Sequence, residues 1–146
     1  MARKKQQGKK LTPQKLIKEK TMQLLHGTTS SLWEKIQLKG LRNPNLTTDK
    51  EVAGYFAKEA AEADGGMPII LKVKVSANQL WVDGPAYEEP LTYYRNRWAA
   101  SDEEWHQKIA SGEIPYPVDA RDWPTALRVT TCVLVKEIVP PSKIKF

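Results

Sequence analysis

The clearest periodicity lies in residues 68–75, where Ile69, Leu71, Val73 and Val75 alternate with Ile70, Lys72 and Lys74. A period of two places one set of side chains on one face of a pleated strand, so the segment predicts a strand with one buried face. Thr21–Leu25 predicts a shorter first strand that ends in a His26-Gly27-Thr28-Thr29 turn. Leu46-Thr47 and Leu80-Trp81-Val82 predict brief extended segments. The run Val129-Thr130-Thr131-Cys132-Val133-Leu134-Val135 is rich in β-branched residues and predicts a central strand, which Pro140-Pro141 terminate.

Helical spacing follows three Ser/Thr-x-x-Glu patterns. Each fits a capping box, in which the hydroxyl and the carboxylate satisfy two free backbone N–H groups. Ser31-x-x-Glu34 precedes Leu32, Trp33, Ile36 and Leu38. Thr48-x-x-Glu51 precedes Val52, Tyr55, Phe56, Glu59 and Ala60. Ser101-x-x-Glu104 opens residues 102–111. Gly40, Gly65-Gly66 and Gly112 predict the three stops. Asp83–Thr92, with Gly84, Pro85 and Pro90, predicts an exposed loop, and 114–124, with three prolines, an irregular segment. The order is β-α-β-α-β, then a loop, a helix and a last strand, with no internal repeat. Strands this short and unevenly spaced argue against a doubly wound parallel sheet. They predict a compact α+β domain, its sheet mixed and its helices peripheral.

Composition adds most at the N-terminus. The 146 residues fit one domain. Of the net charge of +6, the first 20 residues carry eight cations against the single carboxylate of Glu19, and residues 21–146 are close to neutral. Residues 1–12 hold one apolar anchor, Leu11, too little to offset the entropy of ordering, so 1–20 predicts a flexible basic arm, with Pro13 able to open a short helix over 14–20. Such an arm suits contact with nucleic acid or an acidic partner. No stretch approaches the roughly 20 apolar residues of a membrane span, and Met1-Ala-Arg-Lys-Lys has no apolar stretch behind it to act as a secretory signal. Cys132 is the only cysteine, so no disulfide can form within the chain and a reducing cytoplasm is the expected location. With His26 and His106 the only histidines, no metal site is expected. A glycine-rich phosphate loop and a G-x-S-x-G elbow are both missing.

Two segments carry residues suited to chemistry. In Leu24-Leu25-His26-Gly27-Thr28-Thr29, glycine permits a close approach to the backbone, the hydroxyls add donors, and one ring nitrogen of His26 is free for a ribose hydroxyl if the other is held by backbone. The alternative is an ordinary strand-end histidine beside helix caps. In Asn45–Ala57 a short strand runs into a helix, and Tyr55 offers a ring for stacking on a flat ligand, unless it belongs to the buried face. Tyr93-Tyr94-Arg95-Asn96-Arg97-Trp98 suits either nucleic-acid contact or a loop whose aromatics pack on the core.

Taken together, the segments resemble the ADP-ribosyltransferase family. The pieces are His26-Gly27-Thr28; Leu32-Trp33-Glu34-Lys35-Ile36 running to Gly40-Leu41; Leu46-Thr47-Thr48 to Ala53-Gly54-Tyr55-Phe56-Ala57; the 66–75 strand; and Ile138-Val139-Pro140-Pro141-Ser142-Lys143-Ile144. The resemblance implies a split mixed sheet, NAD as cofactor, and transfer of ADP-ribose to a protein or nucleic-acid acceptor as nicotinamide leaves the ribosyl carbon. It implies a cofactor set of His26, Gly27, Thr28, Asn45, Thr47 and Tyr55 and a catalytic set of His26, Tyr55 and Asp83, with no metal. The chain departs from the family in two places. Asn45-Leu46 stands where many members have Tyr, and Thr131-Cys132 stands where transferases place a late-strand Glu. Asp83 is the favoured substitute, with Glu88, Glu89 and Glu137 as alternatives. Two further readings stay open: an RNA 2′-phosphotransferase-like NAD enzyme, for which Arg42 and Arg128 are the available cations, and a non-catalytic module that binds through its basic arm.

Overall fold

A computed structural model describes residues 20–146. In chain order they form β1 (Thr21–Thr29), α1 (Ser30–Lys39), β2 (Leu41–Arg42), β3 (Asn45–Thr47), α2 (Lys50–Asp64), β4 (Pro68–Ser76), β5 (Leu80–Val82), α3 (Gly84–Glu88), α4 (Thr92–Arg95), α5 (Asp102–Ser111), α6 (Trp123–Thr130), β6 (Cys132–Val135), β7 (Ile138–Val139) and β8 (Ile144–Lys145). The expected arm falls almost wholly on residues 1–19, outside the described residues, as does most of the helix expected over 14–20. No helix among the described residues is long and apolar enough to cross a membrane.

The architecture is α+β: a six-stranded sheet in the order β5-β6-β3-β1-β4-β8, a separate ribbon of β2 with β7, and helices around them. The expected mixed sheet is corrected. Every ladder among the described residues is antiparallel. A helix between two strands usually joins parallel neighbours. Here β1 lies between β3 and β4 and runs against both, so the strands that α2 connects never pair with each other.

The alternation in β4 works as its period requires. Leu24 and His26 of β1 lie opposite Val73 and Leu71, while Leu25 and Gly27 lie opposite Lys72 and Ile70. The first face buries Leu24, Leu46, Leu71, Val73 and Val133. The second is covered by α2 at Gly27, where an added Cβ would stand 2.1 Å from the Ala53 carbonyl oxygen and 2.6 Å from the Ala57 nitrogen.

Other local expectations change. His26-Gly27-Thr28-Thr29 is not a turn, because β1 stays extended and paired with β4 as far as Thr29 opposite Pro68. The cap of α1 is Thr29, whose hydroxyl accepts from the Leu32 N–H, and that of α2 is Asp49, whose carboxylate accepts from the Glu51 N–H. Only Ser101 caps where its pattern indicates. Val129 and Thr130 are helical despite their β-branched side chains. Asp122 caps α6, Pro124 suits its first turn, and Ala126, Val129 and Thr130 form its buried face. The strand therefore starts at Cys132, after Thr131 in the left-handed conformation (φ 64°). The loop expected over 83–92 holds α3, with Pro85 in its first turn, and the start of α4. Tyr87, Tyr94 and Trp105 are buried there, the Trp105 indole N–H donating to the Tyr87 carbonyl and the Tyr94 hydroxyl to that of Ala86.

Candidate functional site

Because side chains alternate along β1, His26 and Thr28 face one side of the sheet and Gly27 the other. Two clefts result. The first, of about 580 Å³, lies on the α1 side and is lined by His26, Thr28, Lys35, Lys39, Arg42 and Ile138, among others. The second, of about 390 Å³, lies on the α2 side and includes Asn45, Tyr55, Phe56, Asp83, Glu89 and Cys132.

His26 is held in one state. Its Nδ1 lies 2.8 Å from the Asn45 carbonyl oxygen, which can only accept, so Nδ1 carries the proton and donates. Burial lowers the ring's pKa, outweighing the opposing effect of that hydrogen bond. His26 is thus neutral at pH 7, with Nε2 as an acceptor. Lys35 and Lys39 lie one helical turn apart on α1, and Arg42 follows in β2. The cleft therefore combines one fixed neutral acceptor, one hydroxyl and three cations, a donor set that suits a sugar joined to phosphates.

The second cleft holds the favoured acid. Asp83 follows β5 directly and is 7% exposed. Burial raises its carboxyl pKa, and the Ala86 N–H acts in the opposite sense. Nearby Cys132 is buried, and its thiol is pushed up to about 12, first by burial and then by the Asp83 charge, so it stays protonated. Tyr55 presents its ring at the surface of α2. Its hydroxyl donates to Glu59 at 3.1 Å, and Phe56 and Tyr93 meet it edge-on at 5.4 and 6.1 Å. Glu89 lines this cleft. Glu88 and Glu137 line neither cleft, and the Glu137 carbonyl accepts from the Asn43 N–H.

The remaining expected residues divide between the clefts or serve the fold. Asn45 links the two, its carbonyl fixing His26 while the residue lines the second cleft. Thr28 lies with His26. The close approach that Gly27 permits is taken by α2. The Thr47 hydroxyl is buried, 2.8 Å from that of Thr131, and accepts from the Asp49 N–H. The arginines of the 93–98 segment are paired, Arg95 with Asp102 and Arg97 with Asp49, while Tyr94 is core. Among the described residues, no three His, Cys, Asp or Glu side chains gather to hold a metal.

Sequence reasoning missed Lys35 and Lys39 and considered Arg42 only for an RNA substrate. The signal was present as an i, i+4 lysine pair three residues before an arginine, directly after the helix that follows His26. No protein-family model matches the chain, and no curated protein or solved structure matches it.

Proposed function

We propose that this protein is an NAD-dependent ADP-ribosyltransferase-like enzyme that transfers ADP-ribose to a macromolecular acceptor. The observation that carries the reading is His26, neutral and oriented by Asn45, in a cleft with Thr28, Lys35, Lys39 and Arg42. The resemblance of the His26 and Tyr55 segments to that family supplies the reaction.

The donor set of the first cleft fits the ribose-phosphate part of NAD. His26 Nε2 would accept from a ribose hydroxyl, and Lys35, Lys39 and Arg42 would neutralise the pyrophosphate. Tyr55 would pack its ring against the flat end of the ligand. NAD supplies an electrophilic ribosyl carbon whose bond to nicotinamide is the one broken. The Asp83 carboxylate would offset positive charge developing at that carbon and orient the acceptor. The reading requires NAD to span both clefts, with Asn45 at the junction.

Labelled NAD incubated with the protein and a cell extract should yield a labelled macromolecule. His26→Leu should lower that yield at least about tenfold, since an acceptor held in place for the sugar is lost. Saturation-transfer NMR should show NAD binding that Lys35→Gln/Arg42→Gln weakens. A folded protein that neither binds nor consumes NAD overturns the proposal.

The three cations beside His26 also favour a second reading, in which RNA phosphate occupies the cleft and the chemistry is that of an RNA 2′-phosphotransferase. Release of 2′-phosphate from an internally 2′-phosphorylated RNA, without labelling of an acceptor, would select it.

A further inference from the structure

On the opposite edge of the sheet, β4 and β8 carry a cluster of lysines that neither cleft uses. A surface groove of about 500 Å³ is lined by Lys72, Lys74, Lys143 and Lys145 together with Thr21, Gln23 and Ser142. Met22 is its one apolar lining residue. Lys72 lies directly opposite Lys145 in the antiparallel ladder. Lys74 is two residues along β4 from Lys72 and shares its face, about 7 Å away by strand geometry. All four lysines are exposed, as is Lys20, whose carbonyl accepts from the Ala77 N–H where the chain enters β1.

Two like charges directly opposite in a sheet repel and destabilise it. Proteins often offset such a pair with neighbouring carboxylates. The ion pairs among the described residues are Arg95–Asp102, Arg97–Asp49 and Lys108–Glu104, and none reaches this groove. The uncompensated charge points to a polyanionic partner. The segment leading into Lys20 continues the same sign with Arg3, Lys4, Lys5, Lys9, Lys10, Lys15 and Lys18.

We propose that the β4–β8 lysine face binds the sugar-phosphate backbone of a nucleic-acid strand, without reading its bases. A nearly all-polar lining favours phosphates over a lipid surface, where an apolar residue would be expected to insert beside the lysines. The proposal stands apart from the NAD reading and uses none of its residues.

The test is fluorescence anisotropy with the full chain and a fluorescein-labelled 20-nucleotide single strand of mixed sequence, from 50 to 300 mM NaCl. Lys72→Gln/Lys74→Gln/Lys145→Gln should weaken binding more than about tenfold at 100 mM salt and flatten the slope of log K against log salt by about 2, since each phosphate contact on a single strand contributes roughly 0.7. The triple variant Lys50→Gln/Lys58→Gln/Lys136→Gln makes the same change in net charge elsewhere and should leave the slope within error. Equal losses in the two variants, an unchanged slope in the first, or no binding by the wild-type chain overturns the proposal. So does lysine-dependent binding to vesicles of phosphatidylserine and phosphatidylcholine with no lysine-dependent binding to the strand. Circular dichroism establishes that both variants are folded.

Discussion

Gly27→Ala puts one methyl group where a helix backbone already stands. The added carbon would meet the Ala53 oxygen at 2.1 Å and the Ala57 nitrogen at 2.6 Å. Neither atom belongs to a side chain that can rotate away. To reach an ordinary contact near 3.4 Å, α2 must lift from β1 by roughly 1 Å along a surface packed like a solid, which loosens Val52, Ala53 and Ala57 together. Overpacking a core usually costs about 1–3 kcal/mol, and because the obstacle is backbone the expected loss is at the upper end, about 3 kcal/mol. For a domain of this size that lowers Tm by about 9–15 °C. Urea denaturation followed by circular dichroism measures it, with a lower midpoint and an unchanged m value. Gly54→Ala is the matched control. It sits in α2 one residue from Ala53, and its added carbon meets nothing within 4 Å. Exchanging a helical glycine for alanine there should stabilise by about 0.5–1 kcal/mol. A loss below about 0.5 kcal/mol for Gly27→Ala would refute the reasoning, since such tolerance means α2 does not press on β1 at this residue.

Three further outcomes follow from groups in and around the clefts. His26 has a lowered pKa in the folded state, so the unfolded chain takes up the proton first, and stability falls as pH drops below about 6.5; thermal melts from pH 7.5 to 5 should show this slope, and His26→Gln should flatten it. Asp83 has a raised pKa, so the folded state holds its proton longer and stability falls as pH rises above about 3.8; Asp83→Asn should raise Tm by a few degrees at pH 7, show no such gain at pH 3.5, and abolish NAD consumption. Thr47→Val leaves the Thr131 hydroxyl and the Asp49 N–H without their partner; chemical denaturation should show a loss of about 1–3 kcal/mol.

Much of the fold was legible where a local signal had no competitor. The alternation over 68–75, the Ser101 cap and the left-handed glycines Gly65 and Gly112 all act within a few residues, and the structure keeps them. The signals failed where several choices were locally equivalent. Thr29, Ser30 and Ser31 can each cap a helix. The choice of Thr29 depends on Asp64, 35 residues away, which accepts from the same hydroxyl at 2.6 Å. Val129 and Thr130 favour a strand by composition, yet the buried face of α6 and the cap at Asp122 make them helical. The site divides in the same way. Residue types marked His26 and Tyr55 as candidates and the family resemblance added Asn45 and Asp83, but only the register of β1 tells which side each faces. The lysine pair on α1 was visible as spacing, and nothing local shows that it shares a cleft with His26.

The order His26-Gly27 explains why one dipeptide can serve both the fold and a ligand. In a turn the two residues would compete for the same neighbour, with the glycine opening backbone to whatever the histidine holds. In a strand they face opposite ways, so glycine admits α2 on one side while the imidazole meets the cleft on the other. Substitutions at the two positions should therefore separate. Gly27→Ala should lower stability while leaving the His26–Asn45 hydrogen bond and the first cleft chemically intact. His26→Leu removes the acceptor while keeping the packing against α2. The two effects should add in the double variant, because no partner atom is shared between the faces. A non-additive loss of more than about 0.5 kcal/mol would mean that the packing of α2 and the first cleft are coupled through the β1 backbone at this point.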